Sequence, residues 1–302
     1  MLADFAVFSA VRAFFVTLFL LPRGLAYALC GAIATLIYLV DWKHRRIGLT
    51  NLGIAFPKED DSWRRRTLLR SYRQLGDLAV EMSRLGRLTS AEVRKRVRYE
   101  EGRGLENFLS AKQGSKGVLF LTAHISVWEL LPAAHALHGH PLSFITRPLD
   151  NPFLERWVVR LRSRFGNQVV PKQGSLRRIL RLLQEGRDVG LLIDQNTQVQ
   201  DGVYVPLFGR PASTNSAVAA LALRTSAPVV PGFIYPDQRR GHYVIRFYPP
   251  VELTRTGDED SDIQVNTSRF NRYIEEVVRE YPHCWLWGHR RFHTHPDGTK
   301  VY

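Results

Sequence analysis

The segment His124-Ile-Ser-Val-Trp-Glu129 places a carboxylate five positions after a histidine. That pairing suits general-base chemistry. A carboxylate holding one ring nitrogen leaves the other free to take a proton from a hydroxyl. The hydroxyl can belong to a substrate, so the protein needs no serine or cysteine nucleophile of its own. The same residues also fit a plainer pattern, because Ser126-x-x-Glu129 is a capping box that any helix start can use. Position favours the chemical alternative. His124 follows the apolar run 117–122, a buried strand by pattern, and ligands bind beyond the carboxyl ends of strands in open α/β sheets. A turn into a helix starting near Ser126 then predicts that the Glu129 carboxylate folds back onto the His124 imidazole.

The elements that must position this pair alternate along the chain. Strands are expected at 117–122, 142–146, 188–193, 228–235 and 243–248, and helices at 128–136, 152–165, 175–184, 213–225 and 263–281. Such alternation predicts an α/β fold, a central mostly parallel or mixed β-sheet flanked by helices. Upstream, Leu68, Leu69, Tyr72, Leu75, Leu78, Ala79 and Met82 form a helix-period stripe under a basic face, predicting a solvated helix over 63–88 with one side on the domain. The acidic run Asp258-Glu-Asp-Ser-Asp262 reads as a loop leading into the last helix. The Gly-x-Ser-x-Gly elbow of a serine hydrolase is absent from the sequence.

Charge narrows the partners. The 302 residues carry a net charge of +14, and of 42 basic residues seven are lysines, leaving 35 arginines. Arginine's planar fork suits phosphate and carboxylate groups. Nucleic acid and anionic lipid both attract such a chain, but the arginines are scattered, with no groove-reading helix or RNA-binding motif. The N-terminus points to lipid. Residues 24–40 carry no charge, at the lower edge of a bilayer-spanning length, and residues 5–21 are apolar apart from Arg12. Trp42-Lys-His-Arg-Arg46 follows, an interfacial aromatic with a basic cluster that assigns this side to the cytoplasm. No basic leader region or convincing cleavage site marks a secretory signal. The expected organisation is a membrane-anchoring helical segment over 1–46, either spanning or monotopic, and a catalytic domain over 47–302. Cys30 and Cys284 have neither disulfide-framework nor metal-ligand spacing and fit a reducing compartment.

Six segments in order resemble the bacterial lipid A biosynthesis acyltransferases, the lauroyl and myristoyl enzymes related to glycerolipid acyltransferases by a His-x4-Asp/Glu motif. They are Asn51-Leu-Gly-Ile-Ala-Phe-Pro57, the His124–Glu129 segment, Arg147-Pro-Leu-Asp-Asn-Pro152, Asp194-Gln195, the stretch 202–212 that contains Arg210, and Pro282-His-Cys-Trp-Leu-Trp-Gly-His-Arg-Arg291. Ser126-Val127 depart from the Gly-Asn usual in the family, which predicts an altered acceptor. The resemblance implies a glycerolipid-acyltransferase-like fold at the inner membrane, with the catalytic domain on its cytoplasmic face. It implies transfer of a fatty acyl chain from a carrier protein or coenzyme A thioester to a hydroxyl of a lipid A precursor. Another glycolipid or phospholipid, such as a phosphatidylinositol mannoside or a lysophospholipid, is the alternative acceptor. The thioester is a co-substrate, and no cofactor, metal or nucleic acid is expected.

His124 and Glu129 are the expected catalytic pair, with Arg147, Asp194, Gln195, Arg210, Arg290 and Arg291 as candidate substrate-binding residues. Arg147 follows the second strand and is nominated for the oxyanion or a phosphate, with an ion pair fixing its loop as the alternative. Asp194 ends the third strand, to pair with an arginine or position substrate. Trp285 and Trp287 are ranked below Arg290 and Arg291. His135, His138 and His140 lack a carboxylate or cysteine partner and read as surface histidines, as do His293 and His295.

Overall fold

The computed structural model describes residues 1–302 apart from Ser115, Lys116, Gln173, Thr294, His295, Asp297, Thr299 and Lys300. Two apolar helices come first, α1 (Leu2–Leu20) and α2 (Arg23–Val40), followed by α3 (Trp42–Ala55), α4 (Asp61–Leu85) and α5 (Ser90–Arg96). The sheet region then runs β1 (Val97–Tyr99), α6 (Leu105–Lys112), β2 (Leu119–Thr122), α7 (Leu130–Leu137), β3 (Leu142–Thr146), α8 (Pro152–Arg162), β4 (Gln168–Pro171), α9 (Ser175–Gln184) and β5 (Asp188–Leu192). A hairpin of β6 (Gly202–Leu207) and β7 (Arg210–Asn215) leads to α10 (Ala217–Thr225), β8 (Val229–Pro236), β9 (Tyr243–Phe247) and α11 (Glu259–Glu280).

Among the described residues, seven strands form the main sheet in the order β1-β9-β8-β2-β5-β3-β4, with β8–β9 the antiparallel pair. This is the expected α/β architecture. The run from β2 to β5 is apolar because helices cover both faces of these strands, and parallel strands are stable only when so covered. Helix α9 shows how the sequence achieves this, turning Ile179, Leu182 and Leu183 inward while its arginines stay outside. β2 and β5 are neighbours in register, Thr122 opposite Leu192. The chain leaving each strand therefore emerges at the same sheet edge, His124 from one and Asp194 from the other.

Several elements depart from the sequence expectation. Residues 213–215 belong to β7 rather than to the following helix, which starts at Ala217. The β6–β7 hairpin, β1 and β4 are short strands whose pattern carries little periodicity. The acids at 259–262 form the first turn of α11 instead of a loop, with Asp258 capping it through Ser261 N. Helix α4 is not a solvated helix with one packed side. It buries Ser71, Gln74, Glu81 and Arg84 as well as its leucines, because α1, α2 and α3 all pack on it. His135 is no surface residue either. It is fully buried, its Nδ1 2.7 Å from the Tyr99 hydroxyl and its ring against Phe108, Phe120 and Phe247, and burial pushes its pKa well down. His293 is exposed, and His295 lies outside the described residues.

Candidate active site

His124 sits two residues beyond β2, its side chain one-fifth exposed. Its Nδ1 lies 2.8 Å from Oδ1 of Asp194, and its backbone N–H donates to Oδ2 of the same carboxylate at 2.9 Å. Asp194 is buried and takes a third donor, the Trp285 indole Nε1–H, at 2.8 Å on Oδ2. Burial alone would raise the Asp194 pKa, yet the charge of His124 and these donors hold it down at about 2. Burial likewise works against the imidazolium of His124, but the charge and hydrogen bond of Asp194, with Glu129 adding at longer range, raise its pKa above the ordinary value. An ionised Asp194 fixes Nδ1 as the protonated nitrogen and leaves Nε2 as the acceptor. The amide nitrogen of Gln195 lies 3.4 Å from that Nε2, and the Trp128 ring stands edge-on to the imidazole with centroids 5.1 Å apart.

Glu129 does not fold back onto the imidazole. Its carboxylate is gripped by Arg162 at the end of α8, Nε to Oε2 at 2.9 Å and Nη2 to Oε1 at 2.5 Å, a bidentate fork that outcompetes a single ring nitrogen. The capping box is not formed either, since α7 begins at Leu130 with Glu129 as an N-cap that makes no side-chain cap bond. Instead the chain turns sharply at Ser126, whose φ of 55° is left-handed and uncommon for a residue with a Cβ. Ser126 N donates to Cys284 O at 2.7 Å, and Gln74 Nε2 donates to Ser126 Oγ at 3.3 Å. Ser126 and Val127 are both buried, Val127 packing beside Phe120 and Leu130. They face the core and shape the turn, where a glycine would meet the same φ without strain.

Of the other predicted residues, Asp194 and Gln195 come together at His124. Arg147 points into solvent with its side chain 83% exposed, 3.9 Å from the still more exposed Asp150. Arg210, at the tip of the hairpin, and Arg290 are also exposed. Arg291 is buried, donating to Ser213 O at 2.7 Å and Thr214 Oγ1 at 2.6 Å, a structural role under the hairpin. Within the C-terminal signature it is Trp285 that bonds Asp194, while Arg291 is held under the hairpin and Arg290 is exposed.

Three further residues shape the site. Arg162 is a basic residue closing an amphipathic helix, a signal too common to single it out. Asn51 donates to the carbonyls of Trp287 and His289, each at 2.8 Å, which is the physical use of the Asn51–Pro57 segment. His289 Nε2 accepts from Asn196 N at 2.8 Å, and burial lowers its pKa to about 4, so it stays neutral and steadies the loop after Asp194. Among the described residues no group of three or more His, Cys, Asp or Glu is arranged to hold a metal ion.

An imidazole held by a buried carboxylate at the carboxyl edge of an α/β sheet is the arrangement of a general-base enzyme site. Residues 2–294 match the family model described as bacterial lipid A biosynthesis acyltransferase, and the chain belongs to that family. It is an acyltransferase. A lipid A biosynthesis acyltransferase of Haemophilus influenzae is 23% identical over 291 residues, covering 96% of this chain and 88% of that protein. The lipid A biosynthesis lauroyltransferase of Escherichia coli K12 is 26% identical over 286 residues, covering 92% and 89%. A phosphatidylinositol mannoside acyltransferase of Mycolicibacterium smegmatis is 24% identical over 185 residues, covering 60% and 58%.

Proposed function

We propose that the protein transfers a fatty acyl chain from the thioester of an acyl carrier protein or coenzyme A to a hydroxyl of a lipid A precursor. The observation that carries the mechanism is His124 held at Nδ1 by buried Asp194, which leaves its Nε2 as an acceptor. In this mechanism Nε2 takes the proton of the acceptor hydroxyl as its oxygen attacks the thioester carbonyl. The C–O bond forms, and the negative charge on the carbonyl oxygen needs a donor, a role we assign to the Gln195 side-chain amide. Collapse breaks the C–S bond, and the imidazolium returns its proton to the departing thiolate. Glu129 and Arg162 act as a rigid pair that fixes the far side of the motif. The basic surface complements an acidic carrier protein.

The apolar helices α1 and α2, followed by Lys43-His-Arg-Arg46, support attachment to the inner membrane with the catalytic residues on its cytoplasmic face. The phosphatidylinositol mannoside relative supports a second acceptor class, a phosphorylated glycolipid other than lipid A. Incubating purified protein with labelled acyl thioesters and both acceptor classes, then weighing the products, decides the acceptor. His124→Ala is expected to lower the transfer rate by on the order of 10⁴-fold. A folded His124→Ala protein working at the wild-type rate would end the base assignment.

A further inference from the structure

Helices α1 and α2 are each long and apolar enough to cross a bilayer, yet each is fastened lengthwise to polar parts of the molecule. Along α2 the partners on α4 run in strict antiparallel order. Arg84 Nη2 donates to Leu21 O at 2.7 Å, Arg23 Nη1 lies 3.7 Å from Glu81 Oε2, and the Tyr27 hydroxyl donates to Glu81 Oε1. Gly76 allows a close approach, since a Cβ there would lie 3.0 Å from Cys30 O. Arg73 Nε then donates to Thr35 Oγ1 at 3.1 Å, and the rings of Tyr38 and Tyr72 meet edge-on with centroids 5.4 Å apart. Helix α1 is tied at both ends as well. Asn151 Nδ2 donates to Asp4 O at 2.8 Å, Phe15 meets Trp157 edge-on at 5.0 Å, and the Arg87 guanidinium covers the Phe19 ring at 4.7 Å.

A hairpin that crossed the membrane would carry its turn, near Leu21 and Pro22, to the opposite surface. Here the turn is held by Arg84 and Glu81, on a helix continuous with the catalytic fold. Keeping these contacts in a spanning geometry would sink Arg73, Asp77, Glu81 and Arg84 to membrane depth, where charged groups are costly. The opposite stripe of the hairpin is bare and apolar: Leu2, Phe5, Val16, Leu25, Leu29, Leu36, Leu39 and Val40 are all exposed. Cations and an interfacial aromatic border it, with exposed Trp42, Lys43, Arg46 and Arg73 at the end where α2 gives way to α3. That is the make-up of a helix lying in an anionic interface rather than through a bilayer.

We infer that the α1–α2 hairpin is monotopic, lying in the plane of a single leaflet of an anionic phospholipid bilayer with its exposed stripe towards the acyl chains. This rests on the membrane attachment proposed above and fixes its geometry. Spin labels on Leu25→Cys, Ala32→Cys, Leu36→Cys and Leu39→Cys, all on one helix face, test it in vesicles of phosphatidylethanolamine and phosphatidylglycerol. Cys30 and Cys284 are buried, and the wild-type protein supplies the blank. Retained acyl transfer by each labelled protein certifies its fold. The inference expects all four labels at one shallow depth, rich in oxygen and protected from aqueous nickel. A spanning helix would instead carry the label from Leu25 to Leu39 through about 21 Å, deepest near Ala32 and emerging in the opposite leaflet, and that profile overturns the inference. Labels open to nickel at every position overturn the membrane attachment itself and leave the acyl-transfer chemistry standing.

Discussion

Two buried carboxylates in this molecule have nearly the same company and opposite uses. Asp194 and Glu81 are 3% and 1% exposed, and each accepts from an aromatic donor, Trp285 in one case and Tyr27 in the other. Each also faces a cationic partner, His124 at 2.8 Å and Arg96 at 2.6 Å. What differs is the partner's chemistry. Imidazole can lose its proton near neutrality and has a second nitrogen turned outward. A guanidinium keeps its charge and ends inside the seam. In the proposed mechanism one carboxylate aims a base, while the other fastens the hairpin to the sheet. Burial of an acid is thus no mark of catalysis; the group it holds decides.

The sharpest way to break this contrast is to remove each charge in turn. Asp194→Asn is expected to lower kcat/KM by on the order of 10⁴-fold, because the amide no longer fixes the tautomer of His124. The pH profile adds a sign. In the proposed mechanism activity needs neutral His124, so the acid limb of the wild type is expected above the ordinary imidazole value because Asp194 raises the pKa. Without that carboxylate the limb of the residual activity moves to lower pH, and an unmoved limb in a stopped-flow or steady-state titration would break the pairing. Glu81→Gln should do the reverse. The folded protein keeps its rate per molecule while unfolding free energy drops by about 3–5 kcal/mol, as expected when a buried ion pair loses one partner. Denaturant titration beside an activity assay measures both.

Smaller changes sharpen the comparison. Trp285→Phe keeps the ring contacts with Phe208 and Trp287 but removes one charge-assisted hydrogen bond, which is worth about 1.5–3 kcal/mol. The expected result is a tenfold to hundredfold fall in kcat/KM together with a lowered melting temperature; a loss of stability with an unchanged kcat/KM would make Trp285 a packing residue. Ser126→Gly has two opposing effects, relief of a left-handed φ and loss of the acceptor for buried Gln74, so stability should stay within about 1 kcal/mol of wild type by calorimetry.

Much of this was legible in the chain, for definable reasons. Buried strands such as 188–192 and amphipathic helices such as 175–184 announce themselves through apolar runs, helix-period stripes and turn residues. His124 could be found because it follows such a strand. Its carboxylate could not be assigned by proximity, because Glu129 is near in sequence while Asp194 is near in space, across two strands whose adjacency no local pattern encodes. Arg162 and Trp285 were hidden for the same reason. The one reaches Glu129 from 33 residues away and the other reaches Asp194 from 91. The direction of the Arg147 side chain was not legible either, because a charged residue after a strand can as easily point outward. Ser126 illustrates a different limit, since its type suggested a cap and its backbone angle revealed a turn.

Asn51 binds the carbonyls of Trp287 and His289, so the first third of the chain holds the segment that steadies Asp194. A ribosome makes these parts in a fixed order. The apolar hairpin and α3 emerge early, His124 and Asp194 follow, and Trp285 arrives after all of them. The apolar hairpin is therefore complete long before Asp194 receives its third donor, and a chain halted short of Trp285 lacks that hydrogen bond. Synthesis order thus separates the completion of the hairpin from the completion of the site.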